Sequence, residues 1–301
     1  MKYVVSVSLG SSTRDKTVEV ELCGEVVHIE RCGTDGDVEK AIRLFTELDG
    51  QVDTLGVGGI DLWVVVGERV YPLYDALRLV QNVKKTPYVD GSGLKETLER
   101  RVMQVVEPQV GHKIQPKRAL LTAAVARYGM TLSFEQAGYD CRYGDFMFSL
   151  GIPIALRGLR TLHVLSALLL PLIGRLPMKM LYPTGEKQEE NVPRYESWYH
   201  WAGVVAGDFL YIKRHLPLDM RGRAIVTNTT TPEDVQMLRE RGVRLLVTTT
   251  PVLEGRSFGT NVMEAAITAL AGKGRRLTFA ELDEWIKRLD LKPQIQELNP
   301  D

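Results

Sequence analysis

Cysteine is scarce in this chain. Cys23, Cys32 and Cys141 stand far apart, which excludes a disulfide framework and a CxxC metal site and predicts a reducing, cytoplasmic setting. Net charge is missing as well: 38 Lys and Arg balance 38 Asp and Glu. No overall field therefore recruits nucleic acid or an anionic membrane, and neither is an expected partner. Long apolar runs are absent. The longest, residues 162–173, contains His163 and Pro171 and is followed by Arg175. It is too short to cross a bilayer and reads as a buried helix. His28, His112, His163, His200 and His215 make no HxxxH or HExxH spacing, so no metal site is expected. A GxSxG elbow, a Walker loop and a cysteine-nucleophile context are missing too. The start, MKYVVSV, reads as a strand and not as a signal peptide.

What is there begins with two threonine-rich strand ends. The first reads RAIVTNTTTP over 223–232 and the second RLLVTTTP over 244–251. Between them EDVQMLRERG places Val235 and Leu238 on helical spacing, with threonine and proline before it and glycine after it. That is a strand–helix–strand unit of a parallel sheet. Both strands end in hydroxyls, on the edge where open α/β sheets bind ligands. Threonine also favours strands and caps helices, so part of each cluster is accounted for without a ligand.

At 301 residues with 44% hydrophobic and 25% charged content, the chain has room for two soluble domains. Strands are predicted over 3–9, 17–22 and 25–31 as a meander, with a helix over 38–48, strands over 52–57 and 62–66, and helices near 72–82 and 93–105. Pro108, Gly111 and Pro116 then mark a boundary. The division is an N-terminal α/β domain over 1–112 and a C-terminal one over 116–301. The second is a doubly wound, Rossmann-like, mostly parallel sheet. Its predicted elements are helices over 117–128 and 157–173, a strand over 178–182, an aromatic helix over 195–206, and strands over 208–213, 223–228 and 244–249. Helices over 232–241, 260–271 and 278–289 complete it. No internal repeat is visible.

The segment PVLEGRSFGTN, 251–261, joins a strand end to a helix start. Free amides there favour anions, and Arg256 supplies a fork of donors. Thr260 or Asn261 is the expected cap. The candidate cofactor- or ligand-binding set is Thr227, Asn228, Thr229, Thr249, Thr250, Arg256, Ser257, Thr260 and Asn261. Lys187, flanked by acids in a loop, and Asp208 are the candidate proton-transfer pair. Gly56-Val-Gly58-Gly59-Ile60-Asp61 lacks the last glycine of GxGxxG and runs into a strand-like stretch, so it reads as a turn. Gly10-Ser11-Ser12-Thr13 reads as a solvated loop.

GDFMFSLGIPI (144–154), LYPTGEKQ (181–188), AGDFLYIKRHLP (206–217), TNTTTPEDV (227–235) and EGRSFGTNVMEA (254–265) together resemble a bacterial family that bears the quinate dehydrogenase label. The resemblance implies an NAD- or NADP-dependent oxidoreductase acting on a small, anionic cyclic hydroxy acid of the quinate or shikimate type, in a possible homo-oligomer. Beside it stands a second expectation: a non-redox enzyme or a binding protein for a phosphorylated or carboxylated metabolite.

Overall fold

The computed structural model describes residues 1–181, 191–253 and 256–300; of residues 179, 181, 252, 253, 256 and 257 it describes the backbone alone. The first third holds β1 (Lys2–Ser8), β2 (Lys16–Leu22), β3 (Glu25–Gly33), α1 (Val38–Leu48), β4 (Thr54–Gly58), β5 (Trp63–Val66), β6 (Arg69–Pro72), α2 (Tyr74–Leu77), β7 (Tyr88–Val89) and α3 (Ser92–Thr97). Then come α4 (Val102–Val110), β8 (Arg118–Leu121), α5 (Tyr128–Gln136), β9 (Asp140–Tyr143), α6 (Asp145–Leu150), α7 (Leu159–Ile173), α8 (Met178–Leu181), α9 (Glu196–Trp201), β10 (Val204–Gly207) and α10 (Phe209–His215). The last stretch holds β11 (Ala224–Thr227), α11 (Pro232–Glu240), β12 (Leu245–Thr248), β13 (Val252–Leu253), β14 (Arg256–Ser257), α12 (Thr260–Ala271), α13 (Phe279–Arg288) and β15 (Gln294–Glu297).

The architecture is α/β with mixed, mostly parallel sheets, in two compact units. Neither unit is continuous in sequence. The first takes Met1–Thr97, Ala167–Gln188 and Gly259–Asp290; the second takes Leu98–Ser166, Glu189–Phe258 and Leu291–Asp301. The expected contiguous division at 112–116 differs from this one, because the chain leaves the first unit after Thr97 and returns to it twice.

The first unit is built on a sheet of order β2-β3-β1-β4-β7. β1 pairs in parallel with both β3 and β4, so the expected meander of three strands is corrected: of the three, β2 and β3 form a hairpin. β1 and β4 are buried on both faces, as parallel strands require, while β3 buries one face through Val27 and Ile29. α12 packs on this sheet. A Cβ on Gly91 would come within 2.6 Å of the Asn261 backbone nitrogen, so glycine is what lets the turn after β7 approach the helix start.

The second unit is built on a sheet of order β15-β12-β11-β10-β8-β9. Its neighbours run parallel except for β15, which lies antiparallel to β12. Taking the parallel strands of each unit in chain order, the first always lies between the second and the third: β3-β1-β4 in one unit and β9-β8-β10 in the other. The two units thus repeat one strand order, although their sequences show no repeat.

Four element predictions for the expected C-terminal domain are corrected; the aromatic helix over 195–206 stops at Trp201, and Val204–Gly207 forms strand β10. Residues 118–121 form strand β8, not a helix. Ala119, Leu120 and Leu121 are helix formers, but burial between two parallel neighbours overrides that preference. Residues 209–215 form helix α10, not a strand, because Asp208 caps them. Residues 178–181 form the short helix α8 instead of a strand.

Candidate functional site

The strand order of the second unit reverses between β8 and β10, and the residues just past the carboxyl ends of its strands collect there. Gly207, the last residue of β10, has φ +142°. A Cβ at this position would run into the Thr122 hydroxyl, so a side chain is excluded where the two strands come together. Beyond Gly207 the Asp208 carboxylate begins α10, its Oδ1 accepting from the Leu210 N–H at 3.0 Å. Its Oδ2 accepts from Arg127 at 2.6 Å and from the Asn228 side-chain amide at 3.1 Å.

Arg127 comes from the turn after β8. It is buried, and its other terminal nitrogen donates to Glu99, whose side chain has no exposure. Burial opposes the guanidinium charge, but Glu99 and Asp208 outweigh it and hold its pKa above the ordinary value. The turn itself is tied by Asp145 at the start of α6, whose Oδ1 accepts from the Val125 N–H at 2.9 Å. Burial of that carboxyl raises its pKa to about 6, against the backbone hydrogen bonds that favour the ionised form.

The hydroxyls of Thr227, Thr249 and Thr250 are committed to their neighbours. Thr227 donates to the Gly207 carbonyl at 2.9 Å and approaches Asn228 Oδ1 at 3.1 Å. Thr249 donates to Glu99 at 3.4 Å and Thr250 to the Asn228 carbonyl at 2.8 Å. Asn228 Oδ1 also accepts from the Phe209 N–H at 3.3 Å. Thr229 is half-buried. Thr231 caps α11 in a reciprocal box with Asp234. Asp208, Thr227, Asn228, Thr249 and Thr250 are therefore brought together. Glu99 and Arg127 join them and were missed in the sequence. Arg127 sat inside a stretch that reads as helix, and nothing in the spacing ties it to Glu99.

The other candidates fall elsewhere. Lys187 lies outside the described residues. Arg256 and Ser257 pair with Leu253 and Val252 in a two-residue ladder, and their side chains lie outside the described ones. Thr260 and Asn261 belong to the first unit. Gly259, not either of them, occupies the N-cap of α12, and Asn261 donates to the Ser6 hydroxyl at 2.8 Å. A cavity of about 630 Å³ lies away from this constellation, lined by Asp219, Arg221, Arg239 and Arg241 among others. Its arginines are engaged: Arg221 with Asp219, Arg241 with the carbonyls of Leu216 and Pro217.

Residues 93–298 match the family model described as "Domain of unknown function (DUF8754)". The chain belongs to the DUF8754 family. Residues 3–90 of this DUF8754 protein match a second model, "Domain of unknown function (DUF8753)". A comparison with characterised proteins found no significant match. Similar solved structures include a Mycobacterium smegmatis protein in complex with β-D-fucofuranose, at 13% identity and a TM-score of 0.34, covering 99% of each chain. A periplasmic solute-binding protein of an ABC transporter from Actinobacillus succinogenes 130z, with bound D-allose, aligns at 9% identity and a TM-score of 0.36 over 99% of this chain and 98% of that one. The periplasmic binding component of the arabinose ABC transporter from Shewanella sp. ANA-3, bound to α- and β-L-arabinofuranose, gives 13% identity and 0.33 over 96% of each. Scores of that size carry no argument about the ligand of the DUF8754 protein.

The expected quinate dehydrogenase is corrected. The family shown over residues 93–298 is DUF8754, and neither matching model is described as an oxidoreductase. The strand order also departs from that of dinucleotide-binding sheets, where a third strand lies beyond the second; here the sheet ends at β9.

Proposed function

We propose that the protein is a binding protein for a small, hydroxyl-bearing metabolite, seated on the carboxyl edge of the six-stranded sheet around Asp208 and Asn228. The strand order is that of a doubly wound sheet, and such sheets take ligands outside the strand ends where the order reverses. The observation that carries the proposal is Asp208, a carboxylate fixed at that point by Arg127 and Asn228 with its side chain 26% exposed. A hydroxyl both donates and accepts, so a rigid carboxylate beside an amide suits a hydroxylated ligand. The expected anion site at 251–261 rested on Arg256 and Ser257, whose side chains lie outside the described ones.

Thermal-shift screening followed by calorimetry tests this, with aldoses, polyols, sugar acids and NADH as the panel. A hydroxylated compound is expected to bind. Asp208→Asn keeps a good helix cap but removes a charged acceptor worth about 1.5–3 kcal/mol; affinity is expected to fall by about tenfold to a hundredfold. Equal affinity in the variant, or a response to NADH alone, would overturn the reading.

A further inference from the structure

One long stretch of this electrically balanced chain carries no acid at all. Residues 146–185 contain no Asp or Glu, but hold Arg157, Arg160, Arg175 and Lys179. Within it lies α7, whose buried side presents Leu162, Ser166 and Leu170. Its opposite side is apolar and open to solvent. Val164, Leu168 and Leu172 follow one another at intervals of four, and Leu168 and Leu172 are 64% and 63% exposed. Leu176 and Met180, beyond the helix, are exposed as well. Tyr74, itself exposed, is joined to the end of α7 by its N–H, which donates to the Gly174 carbonyl at 2.8 Å.

Exposed aliphatic side chains on one helical row, arginines at both ends and a tyrosine at the margin are the elements of an interfacial helix. The neighbouring acid, Asp75, is engaged with Arg78 and the Met178 N–H. Among the described residues no helix is long and apolar enough to cross a membrane, so this face can lie on a bilayer but not span one.

We propose that the exposed face of α7 docks the protein on the surface of an anionic lipid bilayer. The aliphatic row enters the headgroup boundary, and Arg160 and Arg175 meet lipid phosphates. Charge decides between this and a second copy of the chain. Pairing two α7 helices face to face would set arginines of one copy against those of the other with no acid in the segment to offset them, whereas anionic headgroups complement them.

Co-sedimentation of the full chain with vesicles tests the proposal. One set is phosphatidylcholine alone; the other contains about one-third phosphatidylglycerol. The protein is expected to pellet with the anionic vesicles, to stay in solution with the neutral ones, and to release at high salt. L168Q/L172Q alters two exposed side chains, so its melting transition should match the wild type, yet its bound fraction should fall about tenfold. R175E should weaken the anionic binding alone. Failure to pellet with anionic vesicles, or wild-type pelleting by L168Q/L172Q, overturns the proposal. So does a concentration-dependent dimer in sedimentation velocity that L168Q/L172Q abolishes, which would assign the face to a second copy.

Discussion

The Arg127 guanidinium meets the Asp208 carboxylate at 2.6 Å, and the two ends of this pair live in different surroundings: the arginine side chain is 4% exposed and the aspartate 26%. The same arginine holds Glu99 on its buried side. A charge taken this far from water is stabilised only by its partners. The pair thus couples the inside of the second unit to the edge where the ligand is proposed to sit.

Removing the guanidinium should be severe. Arg127→Met strips a buried carboxylate of its cation and should cost about 3–5 kcal/mol of stability. Urea denaturation of the wild type and the variant measures this. Adding Glu99→Gln to Arg127→Met should recover part of the loss, because the stranded charge goes with it. A double variant no better than the single one would mean that packing, not charge, is the arginine's contribution.

A second prediction concerns pH. Glu264, in α12, is buried and accepts from the Leu94 N–H at 3.0 Å, with Arg276 at 3.9 Å. Burial lifts its pKa from 4.5 to about 7, against the pull of Arg276. The folded chain therefore holds a proton that the unfolded chain releases across that window. The contribution is fully present below pH 4.5 and is lost as pH rises through about 7. Glu264→Gln should be more stable than the wild type at pH 8, by no more than about 3 kcal/mol, and should lose that advantage at pH 4. Melting curves of both proteins across that range decide it; parallel pH profiles would remove Glu264 as the cause.

Gly207→Ala should fold poorly. Its φ of +142° disfavours any side chain, and the new methyl would meet the Thr122 hydroxyl. Strain and overpacking together should cost about 2–4 kcal/mol. The check is chemical denaturation, with backbone amide exchange in β8 and β10 to locate the loosening. An unchanged midpoint would show that the two strand ends part freely.

The cap of α11 offers a milder test. Thr231 accepts from the Asp234 N–H at 3.2 Å while Asp234 accepts from the Thr231 N–H at 2.9 Å. Thr231→Ala should cost about 1 kcal/mol. The Asp234 side chain keeps its ion pair with Lys213 at 2.8 Å, so the helix should persist in circular dichroism while the unfolding midpoint drops.

The β11–α11–β12 unit was legible residue by residue. Its strands are short apolar runs bounded by threonine, and its helix carries a cap, a proline and a closing glycine. β8 was not legible, because Arg118-Ala-Leu-Leu has no strand periodicity once both faces are buried. α10 was hidden by Phe209, Tyr211 and Ile212, which favour strands until the Asp208 cap is known. The strand edge proposed to bind could be located from Thr227 and Thr248, but its charged centre could not. Glu99 and Arg127 are separated in sequence and meet only through the turn after β8. The discontinuous units left no mark either, since returning chain segments look like any other strand or helix.

The way α12 completes the first sheet has a consequence for biosynthesis. Strands β1, β3 and β4 leave the ribosome early, yet the helix that covers them spans Thr260–Ala271. For most of translation the nascent sheet must keep the face awaiting α12 exposed, or remain unpaired. Slow synthesis or stalling before residue 271 should therefore make this protein a client of chaperones that hold apolar chains, and release should follow once that helix emerges.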